Sequence, residues 1–220
     1  MEFQRARSDA QRDERRRVIL QTTARMLTQM PVAELSLNEI SRRVGLAKSN
    51  VLRYYESREA ILLELLNVEL QDWAAALDAE LTTSDRDLPA RAEHVAKVVA
   101  RSMDQRPVMC DLISSQASVL ERNISAGLAL EHKRLIGESV ATLVRALRRA
   151  LPELDDATAY RLVAMTLISA SGAWPQSHPS PAVLEAYALE PSLQNAQLSF
   201  TDAITEYVEV GILGLIARQP

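Results

Sequence analysis

Cysteine occurs once in this 220-residue chain, at Cys110. A lone cysteine cannot form an internal disulfide, so a disulfide-stapled scaffold is excluded, and a reducing, cytoplasmic location is expected. Aromatic residues make up only 4% and glycine occurs six times, while alanine, leucine, arginine and glutamate dominate. That balance disfavours an all-β fold and favours helix. No apolar run of about 18 residues is present, so no membrane span is expected. The first residues are polar and lack the apolar stretch of a secretion signal. Histidine is scarce too, at His94, His132 and His178. There is no His-Glu-x-x-His pair, no cysteine pair, no Gly-Ser-Gly elbow and no glycine-rich phosphate loop. No metal, cofactor or catalytic residue is therefore expected, and an enzyme is disfavoured. Glu121, Glu131 and His132 could form a site, but solvated helix residues explain them better.

What the chain does have is an ordinary globular balance, 47% hydrophobic and 25% charged residues. Its length suits one large helical domain, or a small domain joined to a larger one. The net charge of −4 gives no hint of nucleic acid, but its distribution does. Residues 1–58 hold 12 basic and 7 acidic side chains, a net +5; the remaining 162 hold 13 and 22, a net −9. A basic head on an acidic body is the asymmetry expected when one end meets phosphates. A solvated basic face explains charge alone equally well.

Residues 1–11 are polar and aperiodic, and are expected to form a flexible basic arm. From about Arg12 to Met30, Val18, Ile19, Ala24, Met26 and Leu27 follow helical spacing up to Pro31. Ser36-Leu37-Asn38-Glu39 reads as a capping box opening a second helix that ends at Gly45. A third helix is expected from about Lys48 to Tyr54, and Ser57 caps a fourth carrying Ile61, Leu62, Leu65, Leu66, Leu70 and Trp73. Pro89 and Pro107 suit first helical turns. Further helices are expected over about 124–151, 156–174 and 199–218, with the proline-rich stretch from Pro175 to Pro181 ending the second of these. About nine or ten helices result, and the fold class is all-α.

The second and third helices, joined by a tight glycine turn, follow helix-turn-helix grammar. The third would enter the major groove. Lys48, Ser49, Asn50, Arg53 and Tyr54 are donor-rich types suited to base edges and phosphates. At least one of Val51 and Leu52 should face the head's core. Residues 36–62, SLNEISRRVGLAKSNVLRYYESREAIL, resemble the DNA-binding signature of the TetR family without gaps. The resemblance implies phosphate contacts at Ser36, Tyr54 and Arg58, and groove-facing Lys48, Ser49, Asn50 and Arg53. The chain departs from the signature at three places. Ala47 stands where a small hydroxyl residue usually caps the recognition helix, Leu52 where an aromatic is common, and Tyr55 where phenylalanine is usual. Tyr55 is expected to be a core wedge. Arg42 and Arg43 read mainly as solvated. Arg15, Arg16 and Arg17 could reach a minor groove or a flanking phosphate.

This divides the chain into the arm 1–11, a DNA-binding head 12–58 and a ligand-binding and dimerisation body 59–220. Ala159, Leu162, Val163, Thr166 and Ala170, with Ile204, Val208, Gly211, Ile212 and Leu215, offer small and apolar faces suited to a four-helix bundle between two copies. Ordinary monomer core is the alternative. The resemblance also implies a small effector molecule in the body. Trp73, Met103, Met109, Cys110, Ile113, Gln116, Leu120, Asn123, Met165 and Trp174 are candidates to line its pocket, with plain core the standing alternative for each. The expected function is a homodimeric repressor that binds a palindromic double-stranded DNA operator and is released by a small molecule. The alternatives are an activator of the same kind, or a helical ligand-binding or scaffolding protein with a vestigial head.

Overall fold

The computed structural model describes residues 2–190, 192–193 and 198–219, with side chains from residue 11 onward. Among these residues all regular structure is helical: α1 (Glu2–Leu27), α2 (Leu37–Val44), α3 (Lys48–Val51), α4 (Arg58–Glu80), α5 (Leu88–Asp104), α6 (Pro107–Ser115), α7 (Ala126–Ala150), α8 (Asp156–Ser177), α9 (Pro181–Leu189) and α10 (Phe200–Ile216). A short 3-10 turn, Val32–Glu34, precedes α2, and a π-turn, Gln116–Leu120, follows α6. The all-α expectation holds.

Local chemistry sets most helix starts. Ser36, Ser57, Asp87, Ser125, Asp155 and Ser199 each accept a hydrogen bond from a backbone N–H two or three residues into the helix that follows. Each bond satisfies one of the donors a helix leaves free at its first turn. Pro89 and Pro107 sit in first turns, where their missing N–H costs nothing.

Two boundaries of the long helices differ from expectation. The segment expected as an arm continues α1, which is helical from Glu2; residue 1 lies outside the described residues. Residues 2–11 contain no glycine or proline, and their alanines, glutamines and arginines are good helix formers. Once the turn around Ile19 is packed, extension adds one hydrogen bond per residue fixed. The helix α8 also runs through Pro175 to Ser177. A proline in the last turn removes a single ladder bond, and the nearby carbonyls of Gly172 and Trp174 are taken by Gln176 Nε2 (3.0 Å) and Ser177 Oγ (2.9 Å).

The helix α5 lies at the centre of the body. Ala92, Val95, Ala96, Val98, Val99, Ala100 and Met103 are all buried, covering most of its circumference, as a helix surrounded by others requires. Its neighbour α10 also packs on α8, while α4 packs along α7. Gly211 permits the α8–α10 approach: a Cβ there would lie 3.2 Å from Leu162 Cδ1. Trp73, on α4, is buried and donates from Nε1 to Ser102 Oγ on α5 at 2.9 Å. The long helix α4 thus carries one apolar core continuously from the head into the body.

Candidate nucleic-acid interface

The head is built on the turn between α2 and α3. Gly45 ends α2 at φ 76°, ψ 29°, a left-handed conformation that glycine adopts without steric cost. Gly45 N donates to Arg42 O (3.2 Å) and Leu46 N to Ser41 O (3.0 Å), the paired bonds of a Schellman ending. Ser36 Oγ accepts from Glu39 N at 3.1 Å, the first half of the expected capping box. The Glu39 carboxylate pairs with Arg42 rather than returning to Ser36. α3 is shorter than expected. It ends at Val51, and turn bonds from Tyr54 N and Tyr55 N to Val51 O (2.9 and 3.2 Å) carry the coil onward. Ala47 gives α3 no side-chain cap, the physical consequence of that departure from the signature.

Val51 is fully buried and pins α3 to the head, so Lys48, Ser49, Asn50, Leu52 and Arg53 face solvent. Tyr54 is half-buried, and its carbonyl accepts from Arg16 Nη1 at 2.8 Å. Tyr55 is the core wedge expected of it. Its hydroxyl donates to Glu64 Oε1 (3.0 Å), and the Arg16 guanidinium lies 4.5 Å from its ring centroid. Burial and the neighbouring Glu64 carboxylate push the Tyr55 phenol above its ordinary range, so it stays a donor. Arg16, also paired with Glu64, is thereby a strut between α1, α4 and the reading segment. Arg17 pairs with Glu14 along the exposed side of α1.

Arg15 differs from these two. With Gln11, Arg12, Arg53 and Tyr54 it lines a notch of about 270 Å³ beside the end of α3. Three guanidinium-bearing residues around a notch suit a phosphate, which takes planar, forked donors well. Sequence reading missed Arg12; its spacing of three from Arg15 on one helix was the available signal. Arg58, expected as a phosphate contact, is turned inward. Its guanidinium donates to Val32 O and to Glu59 Oε1, and its side chain is only 18% exposed. At the positive end of α4 a free cation is disfavoured, and a carbonyl and a carboxylate draw it inward.

Two carboxylates tie the head to the body. Asp111 Oδ2 on α6 accepts from Val32 N at 2.7 Å, and Glu56 Oε1 accepts from Ser125 N, ahead of α7, at 2.8 Å. The segment from α6 through the π-turn to α7 therefore holds the head at both of its ends.

A profile for bacterial regulatory proteins of the tetR family matches residues 19–65, and one for the tetracyclin repressor-like C-terminal domain matches residues 67–219. The chain belongs to the TetR family. It is a transcriptional regulator with a helix-turn-helix DNA-binding head. No curated protein matches the chain. Among solved structures, a TetR transcriptional regulator from Rhodococcus sp. RHA1 is 13% identical, with a TM-score of 0.56 over 94% of this chain and 99% of that one. The fatty acid degradation regulator FadR from Bacillus halodurans is 10% identical, with a TM-score of 0.53 over 92% and 98%. At such identities these likenesses show the fold.

The body of this TetR-family chain places the expected pocket and dimer residues as follows. The cavity bounded by Trp73, Leu77, Val99, Leu147, Leu162 and Val208 measures about 20 Å³, room for one water. Of the expected pocket residues only Trp73 borders it. Met103, Met109, Cys110, Ile113, Leu120 and Trp174 are packed core. Burial pushes the Cys110 thiol up to about 12, so it is inert. Gln116 is engaged within the fold, donating to Glu121 Oε1 at 2.7 Å and lying 3.2 Å from His132 Nε2. Asn123 and Met165 are exposed.

Most of the residues expected on a dimer face pack inward. Ala159, Leu162, Val163, Thr166 and Ala170 on α8, and Ile204, Val208, Gly211 and Ile212 on α10, are buried within the chain's own core, while Leu215 is half-buried. Both helices are apolar on two sides, so their sequences could not say which side faces inward. The opposite side exposes Tyr160, Met165, Ile168, Tyr207 and Val210, with Gly172 and Gly214 beside them. Met165, Tyr207, Val210, Gly211, Gly214 and Leu215 line an open groove of about 490 Å³ there, so two of the expected dimer residues, Gly211 and Leu215, border it. Among the described residues no helix is long and apolar enough to cross a membrane.

Proposed function

We propose that this regulator binds a palindromic double-stranded DNA operator as a homodimer, represses the adjoining promoter and is released by a small molecule. The observation that carries the reading is the face of α3 and its following turn. Lys48, Ser49, Asn50 and Arg53 project into solvent from a segment that buried Val51 and Tyr55 hold rigid. Lysine and arginine suit guanine O6 and N7, asparagine suits adenine, and exposed Leu52 suits a thymine methyl. Ser36, Tyr54, Arg12 and Arg15 supply flanking phosphate contacts. Their loss would weaken binding to all sequences alike.

A palindrome reader needs two heads about 34 Å apart, hence two copies. The exposed apolar side of α8 and α10 supports that pairing, because patches of this kind on soluble proteins mark association surfaces. The four helices of two such faces form the bundle. The effector acts by binding one head spacing better than the other, and its differential affinity sets how far the equilibrium moves. The reading implies work in the cytoplasm, beside the chromosome. Whether the bound dimer blocks or recruits transcription depends on where the operator lies. An electrophoretic shift assay on the DNA upstream of the gene tests the reading. Sequence-selective, salt-sensitive retardation is expected, and equal affinity for unrelated DNA at physiological salt contradicts it.

A further inference from the structure

The cavity beside Trp73 has room for about one water, and the large groove on α8 and α10 is assigned above to the second copy. One other large cleft opens on the body. It measures about 380 Å³ and lies between α4 and α7, bordered by Glu64, Asn67, Val68, Gln71, Ala74 and Ala75 on one side and Leu135, Glu138, Ser139 and Thr142 on the other. The cleft exists because Ala74, Ala75 and Ser139 stand where two long packed helices would otherwise fill the space with larger side chains. We propose that this cleft is the effector site of the regulator, and that it takes a compact amphipathic cation. The proposal rests on the regulatory reading given above.

The lining decides the ligand class. Its volume matches a small organic molecule. Val68, Leu135 and the two alanines give apolar walls. The two carboxylates Glu64 and Glu138 border it, and no lysine, arginine or histidine does. Glu64 is already paired with Arg16, and Arg145 Nη2 lies 3.0 Å from Thr142 Oγ1 at the rim, so the attraction for an ammonium comes from Glu138 and from taking Arg16's place on Glu64. The amides of Asn67 and Gln71 and the hydroxyl of Thr142 add polar partners.

The position couples the cleft to the DNA face. Glu64 holds Arg16, and Arg16 holds the Tyr54 carbonyl at 2.8 Å. Glu64 also accepts from the Tyr55 hydroxyl at 3.0 Å. A ligand cation competes with Arg16 for Glu64 and so loosens the strut beneath the reading segment. Asn67 Oδ1 lies 2.7 Å from His132 Nδ1, which links the same cleft to the π-turn segment gripping the head.

The test uses the full-length protein and a matched series: 4-phenylbutylamine, 4-phenylbutanol and 4-phenylbutyrate, titrated calorimetrically and then added to the protein–DNA complex. The amine is expected to bind at least tenfold more tightly than the alcohol, with the butyrate weakest, and to lower DNA affinity. Ala75→Phe fills the cleft from an exposed position and should abolish both effects while leaving DNA binding intact. Glu138→Gln should narrow the gap between amine and alcohol. No amine binding at millimolar concentration, equal binding of the three, or amine binding unchanged in Ala75→Phe each overturns the site. Binding without any change in DNA affinity overturns the effector role. Failure of the ligand-free protein to select its upstream DNA instead sinks the regulatory reading itself.

Discussion

His132 is wholly buried, with Asn67 Oδ1 2.7 Å from Nδ1, Gln116 Nε2 3.2 Å from Nε2, and Glu121 Oε1 3.5 Å away. Burial lowers its pKa, and neighbouring Lys133 adds to that, against the opposing pull of Glu121. A lowered folded-state value means that the unfolded chain takes up this proton first. The contribution of His132 to stability is therefore full above the ordinary histidine value of about 6.5 and is lost as pH falls below it, by at most about 1.4 kcal/mol per pH unit. Urea midpoints of wild type and His132→Gln at successive pH values measure this. The variant should have the shallower acid slope, and equal slopes contradict the assignment. On the DNA side, the side chains that meet solvent and those that hold the head separate residue by residue. Arg12 and Arg15 border an open notch, whereas Arg16 braces Tyr54. Substituting both notch residues, Arg12→Ala with Arg15→Ala, should weaken binding equally on operator and scrambled DNA. With two heads on the operator, it should also reduce the slope of log K against log salt by up to about 4. An unchanged slope removes the notch from the interface. The arginine run at 15–17 could not be sorted from sequence, because the partners that claim Arg16, Tyr54 and Glu64, lie 38 and 48 residues away.

At the scale of elements, the starts of helices were the legible part. The serine and aspartate caps and the glycine at 45 act within one turn, so local sequence encodes them fully. α3 shows the same chemistry by default: Ala47 leaves its first turn uncapped. Ala47→Ser should stabilise the head by about 1 kcal/mol, read as a raised urea midpoint with unchanged slope, because the new hydroxyl can accept from an orphan N–H. A lowered midpoint would mean the turn needs the apolar residue. The faces of α8 and α10 were illegible for the opposite reason. Each helix is apolar on two sides, and only the packing of α10 against α5 and α8 selects the inner one. Most of the expected dimer residues were accordingly assigned to the face that the chain buries itself. The choice between pocket and core at the expected effector residues was illegible too, since methionine, tryptophan and leucine pattern alike in both.

For the whole molecule, the proposed dimeric regulator rests on an apolar outer side on α8 and α10 and a basic reading face on the head. Ile168, 71% exposed, is a large side chain on that outer side. Ile168→Glu puts a charge there without touching the core. It should yield a folded monomer by sedimentation equilibrium, with operator affinity reduced at least tenfold; a dimer of unchanged stability would mean the copies meet elsewhere. The central claim is that the exposed face of α3 reads sequence, and one titration addresses it most directly. Wild type and the double variant Lys48→Ala with Arg53→Ala are titrated by fluorescence anisotropy against the upstream duplex and a scrambled duplex at about 0.15 M salt, where surface charges are screened beyond about 8 Å. Both substituted side chains are exposed, so the fold should be retained. The account predicts that the wild type prefers the upstream duplex by at least a hundredfold and that the variant loses this preference. Equal affinity of the two proteins for the two duplexes would contradict it.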